Sequence, residues 1–574
     1  MKSRTLAIIT LILGLAAGVI SPAWAPDAFS EGLELFNAGK WPQAADRLAA
    51  AAKKSPNDIS VRLTAGVALA NVKRYDAALD QFDAASRLSL DGILPYLLLD
   101  GTYSEIGDAA RSRQARDQAT RILNSGRAFG RPTSSDRTLL ESLAKHPSNA
   151  IAHCLLGNLY QLQNKLPLAK ERYAKASELA PRWAKPVFNL GLADLRSDPR
   201  SAEQSFDRAL KMDPSNSRIY LWQGDAYLQQ GKYDEAISAY SNAARDRQLM
   251  SEANTRIGNA QLRAGNLSAA TQQFRLAAKQ APEDARPLAG EAQVYLNEGK
   301  LKEAETKYSQ AAQVMASNQA PPPSQAVVQQ QIAVVRQRQG KVDEAIESLK
   351  LGHELHPTFD NARGLARMQQ GAGRLQAGIA QAEAELKEKP KSKPTLMYLL
   401  SAYSASENWA GVIDVASRLA KLDPPNARTC YEEAGAAQMR LGNVSGAVEA
   451  YASAINAGNA STWPDTARHA KLSGALPALE DRCASTFKAK NTRSVGIVLF
   501  ELRSARGDTA GMVEIADRLV KLFPDDAAIW LRLGQAHEQA GNKELARIAY
   551  ARAAAGSDPE AAAAARVRAE QVEK

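Results

Sequence analysis

Cysteine is scarce in this chain: only Cys154, Cys430 and Cys483 occur in 574 residues. An odd, widely spaced set of thiols is no disulfide framework. The three read as small buried hydrophobes, with a Cys430–Cys483 bridge as the pairing left open. Aromatics are also few, at 6%, while alanine is abundant. That balance suits closely packed helices better than strands, which favour β-branched and aromatic residues. Beyond the amino terminus there is no long apolar run, so nothing there reads as a membrane span.

Motifs that carry chemistry are absent as well. No glycine cluster forms a phosphate-cradling G-x-G-x-x-G. His353 and His356 stand at i and i+3 near the end of a helical stretch, but no third metal ligand accompanies them. They read as a solvated helix end that Pro357 terminates. With no positioned nucleophile, acid–base pair or cofactor loop, the sequence excludes an ordinary enzyme and implies no cofactor and no metal.

At the amino terminus stands MKSRTLAIITLILGLAAGVISPAWA. Lys2 and Arg4 form a positive start, and Leu6 to Ile20 an apolar stretch too short to span a bilayer comfortably. Cleavage is expected after Ala23 or Ala25, with an uncleaved anchor as the alternative; either way the protein is expected outside the cytoplasm, in the periplasm or cell envelope. Lys2 and Arg4 account for two of the net +10 charges, so the remainder carries about +8. This favours anionic partners by long-range attraction. It is too diffuse to imply nucleic acid.

What fills the chain is repetition. GKYDEAISAYSNAA begins at Gly231, GNLSAATQQFRLAA at Gly265 and GKLKEAETKYSQAA at Gly299. Tyr220, Gly224 and Tyr227 share one helix face; Gly231 ends that helix as a left-handed cap. Ala236, Tyr240 and Ala243 mark the face of a second helix. Two short helices joined by a tight turn cannot bury their apolar faces alone, so each pair must stack on the next.

This pattern resembles the tetratricopeptide-repeat (TPR) family, with its W-x2-L-G-x2-Y, A-x3-F and late Pro. Leu156, Gly157, Tyr160, Ala169, Tyr173, Ala176 and Pro181 nearly complete it, as do Trp530, Leu533, Gly534, Gly541, Ala546, Tyr550 and Ala553. The resemblance implies an all-α fold: a right-handed superhelix (α-solenoid) of about fourteen helix-turn-helix repeats. The expected organisation is a signal peptide at 1–25, repeats at 26–107, and a degenerate repeat and loop at 108–149. Regular repeats follow at 150–315, a Pro-rich insert at 316–325, partly degenerate repeats at 326–557 and a capping helix at 558–574.

The family likeness also directs attention to a groove lined by first helices. Asn158, Asn189 and Arg218 resemble three of the five positions of the carboxylate clamp, by which some TPR proteins grip a peptide's C-terminal carboxylate. Cys154 and Trp222 stand where that clamp has cations; Trp222 shares a face with Arg218 and either covers a ligand or belongs to the core. A second candidate is Arg111, Arg113, Arg116, Arg121, Arg127 and Arg131, an anionic-polymer surface or else a solvated face. The expected function is an exported, non-enzymatic scaffold binding peptide or protein segments in the cell envelope. The alternative is a periplasmic component of polysaccharide export or outer-membrane assembly machinery, contacting an anionic glycan.

Overall fold

The computed structural model describes residues 27–88, 93–124, 139, 146–556 and 558–573. The expected signal segment, Arg127 and Arg131 lie outside them. The described residues contain 31 α-helices and no strand, and the helices run in fifteen consecutive pairs with a single helix at the end. That is one pair more than the sequence period suggests, because residues 359–522 also fold as regular pairs although their consensus residues are sparse.

Each pair owes its shape to a few small residues. At Gly265 and Gly299 the first helix ends in the left-handed region, at φ 83° and 75°. A side chain there would be strained, so glycine is the favoured occupant. Where glycine is absent the geometry persists: Lys73, Asn164 and Glu407 hold φ 61°, 58° and 58°. The helices then touch closely. A Cβ on Gly258 would lie 2.6 Å from the Phe274 ring, and one on Gly290, in the next pair, 2.4 Å from it. Phe274 is thus the ring on which one pair closes and the next one stacks. Helix Pro199–Met212 shows the same logic along its length. Ala202, Ser205, Phe206 and Ala209 form its buried stripe, and Asp198 caps its start through Ser201 N at 3.1 Å.

The Pro-rich stretch is not an insert in a turn. Helices Leu301–Ser317 and Pro322–Arg338 are 17 residues each, against 14 and 13 in the preceding helices Leu267–Gln280 and Ala285–Asn297. The longer interval from Gly299 to Gly340 is therefore taken up inside helices. Pro321 is the N-cap, and Pro322 and Pro323 open the next helix. Proline suits that position, because the first helical N–H groups have no partner to lose. At the carboxyl end, helix Pro559–Glu573 follows the last pair and buries Ala565 against Ala546, Tyr550 and Ala553.

The chain divides into two units, residues up to Ala239 and residues from Tyr240. In the second unit each pair packs on its neighbours. In the first unit, distant helices also meet. Helices Ile59–Asn71 and Ala150–Leu162 pack against one another. Apart from the Cys154 thiol and the Tyr160 phenol they carry one ionisable residue each, Arg62 and His153, and they bury eight and ten residues respectively. A helix that is apolar on most sides must be covered on most sides. Helix Ala28–Asn37 joins the same assembly. Phe36 meets Trp183 edge-on at 5.0 Å, Phe29 meets His146 at 5.1 Å, and Asn37 Nδ2 donates to the Ser148 carbonyl at 2.8 Å.

Candidate ligand cavity in the first unit

The closure of the first unit forms an open-sided cavity of about 540 Å³. One wall comes from the turn and helices between Trp41 and Glu105, the other from residues between Asn158 and Ile219. Its surface is largely apolar, with Trp41, Leu94, Leu97, Phe188 and Ile219, and its charged groups are Lys73, Arg182, Lys185 and Arg218 against Glu105 and Asp213. An apolar hollow with a few convergent polar groups and a cationic excess suits an anionic ligand that also offers apolar surface.

Arg218 is exposed and reaches Ser104 Oγ with Nη2 at 3.3 Å. Nearby the Tyr75 hydroxyl donates to Glu105 Oε2 at 3.0 Å. Burial, and then the Glu105 carboxylate, push the Tyr75 hydroxyl up to about 12, with Arg218 opposing. Tyr75 therefore remains a neutral donor at physiological pH. Asn158 lines the cavity, and its Oδ1 accepts from Asn189 Nδ2 at 2.8 Å while the Tyr173 hydroxyl lies 2.9 Å away. With the carbonyl so held, the amide N–H groups are the part of Asn158 left for a ligand.

Asn189 is not a groove residue. It is 5% exposed, and its amide is committed to Asn158 and to Cys154 Sγ at 3.8 Å. It positions Asn158 instead. Trp222 does not line the cavity either; it packs on the core around Val187, Phe206 and Ile219. Of the four clamp-like residues, the structure brings only Asn158 and Arg218 to one surface. Lys73, Tyr75, Arg182 and Lys185 were missed by the sequence reading, because they sit near helix ends and turns where the repeat consensus is silent.

Of the described arginines in the 111–131 segment, two are already engaged. Arg111 pairs with Asp108 at 3.0 Å and stacks over Tyr103, and Arg116 pairs with Asp100 at 2.9 Å. Arg113 and Arg121 stay exposed on the same helix, Ala109–Asn124.

The cysteines are all free, so there is no Cys430–Cys483 bridge. Burial pushes the Cys154 and Cys430 thiols up to about 12 and Cys483 to about 11, which keeps them protonated and inert. His353 is no solvated helix end. It is 3% exposed, and its Nε2 donates to the Pro394 carbonyl at 2.8 Å. Among the described residues no group of three or more His, Cys, Asp and Glu could hold a metal ion, and no helix is long and apolar enough to cross a membrane.

The model of the tetratricopeptide-repeat family matches residues 29–89, 190–250, 255–321 and 501–568. These four segments lie in both units, and each falls on the stacked pairs described above. The chain is a tetratricopeptide-repeat protein. Among solved structures, the TPR protein YrrB, described as having an unusual peptide-binding site, is 20% identical, covering 32% of this chain and 94% of its own, with a TM-score of 0.27. PilF of Pseudomonas aeruginosa is 20% identical, covering 37% of this chain and 94% of its own, with a TM-score of 0.30. MamA of Desulfovibrio magneticus RS-1 is 15% identical, covering 29% of this chain and 96% of its own, with a TM-score of 0.27. No curated protein matches the chain. As a TPR protein it belongs among interaction scaffolds, whose partners are peptides and proteins.

Proposed function

We propose that this TPR protein is an exported, non-enzymatic scaffold that grips a peptide or protein segment of the cell envelope in the cavity of its first unit. The cavity itself carries the reading: four cations and two acids surround an apolar hollow of about 540 Å³. Arg218 and Lys185 supply charge, Asn158 supplies amide donors, and Trp41 and Phe188 receive apolar side chains. The amino-terminal segment supports export, and Edman sequencing of purified protein should begin at Trp24 or Pro26. Recovery with Met1 intact in membranes would show an anchor instead.

Affinity capture from the envelope followed by mass spectrometry should yield a protein partner. A peptide from it should then lose about 1.5–3 kcal/mol of affinity on Arg218→Ala, the range for hydrogen bonds to charged groups. An unchanged affinity in Arg218→Ala and Lys185→Ala would reject the cavity as the site. Contact between the arginine-rich helix and an anionic polysaccharide is the second reading; Arg113 and Arg121, exposed on the same helix as the paired arginines, are what support it.

A further inference from the structure

We infer that the second unit carries a separate ligand site, which takes an acidic side chain of an extended peptide segment together with an adjoining apolar residue. The site is a cleft of about 290 Å³ across three successive first helices, Phe359–Gly371, Lys393–Ala405 and Ala427–Arg440. Phe359 and Leu400 provide its apolar surface; Arg363, Arg367, Ser404 and Glu433 provide its polar rim.

Charge is the deciding feature. At three contacts between helices of this unit an arginine meets a shielded acid at close range: Arg275 with Glu291 at 2.8 Å, Arg336 with Glu305 at 2.8 Å, Arg532 with Glu501 at 3.0 Å. Those carboxylates are only 2%, 17% and 11% exposed. In the cleft that pairing is incomplete. Arg363 reaches Asp360 at 3.3 Å and Glu433 at 3.4 Å, both loose contacts at the surface. Such pairs hold weakly and exchange readily for a better partner. Arg367 is exposed and makes no ion pair among the described residues. Two guanidinium groups and one carboxylate, Glu433, thus line the cleft beside Phe359 and Leu400, with Asp360 touching Arg363 from outside the lining, and a guanidinium fork binds a carboxylate in bidentate fashion.

The other polar groups of the cleft are occupied, which narrows the chemistry. Gln370 Nε2 donates to the Ala405 carbonyl at 2.9 Å, and the Ser401 hydroxyl to Met397 at 3.3 Å. Donors for a carboxylate remain on Arg363, Arg367 and Ser404. Arg363 and Glu433 stand on helices two pairs apart, so the cleft runs across the helices. A segment lying in it continues on both sides, and an internal acidic residue fits that course better than a chain end.

The test uses the full chain and an acetylated, amidated short peptide carrying an Asp-Glu pair flanked by Leu and Phe. Calorimetric titration is paired with hydrogen exchange. The peptide should protect helices Phe359–Gly371 and Lys393–Ala405, and its Asn-Gln counterpart should not. Arg367→Ala should weaken the peptide about tenfold or more, with the melting temperature unchanged. Glu433→Gln, which frees Arg363, should tighten it. No binding, equal binding of the Asn-Gln peptide, protection elsewhere, or binding that needs a free carboxyl end would each overturn the proposal. The site stands apart from the first-unit cavity, so Arg218→Ala should leave this peptide's affinity unchanged.

Discussion

The two units use one building block to different ends. In the first, hydrogen bonds join residues 111 and 114 positions apart, from Asn37 to Ser148 and from Arg218 to Ser104. In the second, the widest described hydrogen bond spans 70 positions, from Arg363 to Glu433. The second unit therefore behaves as a stack, in which each pair answers mainly to its neighbours. In the first unit, closure adds long-range contacts, makes a cavity from both sides of the closure, and couples distant helices.

The largest effects should come from the rings at the centre of each arrangement. Phe36→Ala and Phe274→Ala remove fully covered aromatics, 1% and 0% exposed, and should each cost about 3–5 kcal/mol. Their reach should differ. Loss of Phe36 should raise hydrogen exchange in helices Ile59–Asn71 and Ala150–Leu162 together, whereas loss of Phe274 should loosen residues 250–317 and leave later pairs protected. A Phe36 effect confined to residues 28–54 would erase the contrast between the units.

Next in size are two residues on one helix. Trp222→Ala should lower the melting temperature of the first unit, since the ring packs on its core. Arg218→Ala should leave melting unchanged and cost about 1.5–3 kcal/mol in affinity for the captured peptide. The opposite pattern would exchange their roles.

A histidine in each unit gives a milder comparison. Burial holds His153 and His353 below the ordinary value, and each donates from Nε2 to a proline carbonyl. Their Nδ1 atoms are buried without a hydrogen-bond partner. The unfolded chain takes up protons first, near pH 6.5. Stability is therefore complete above about pH 6.5 and falls as pH drops below it toward the folded values. Thermal melts between pH 8 and 5 should show this loss, and His353→Gln should flatten the part read in the second unit. A loss that instead grew above pH 7 would contradict the assignment.

The smallest effect is expected at Glu407, a non-glycine residue in the left-handed turn between two helices of the second unit. Relief of αL strain outweighs the added freedom of the unfolded chain, so Glu407→Gly should stabilise by about 0.5–1 kcal/mol. Chemical denaturation should show a higher midpoint with an unchanged slope; a lower midpoint would mean that the turn carries no strain.

The sequence by itself determined the repeated pair. Gly258 and Phe274 are 16 positions apart, so their packing is written locally and recurs with the period. The same grammar made the all-α fold legible, and it placed Asn158 and Arg218 on candidate surfaces. It did not reveal that Asn189 would be buried beneath Asn158, since a step of one or two residues along a helix separates a groove position from a packed one. Nor did it foresee that the longer interval after Gly299 would lengthen two helices, because three prolines break a helix in its middle yet open one at its first turn. Only the tertiary structure decided that Phe36 meets Trp183, that Lys73 and Arg182 share a cavity with Arg218, and that His353 is sealed under Pro394. Those contacts join segments with no common period; they arise from how small rotations between successive pairs add up, and that sum is set by packing rather than by any one repeat.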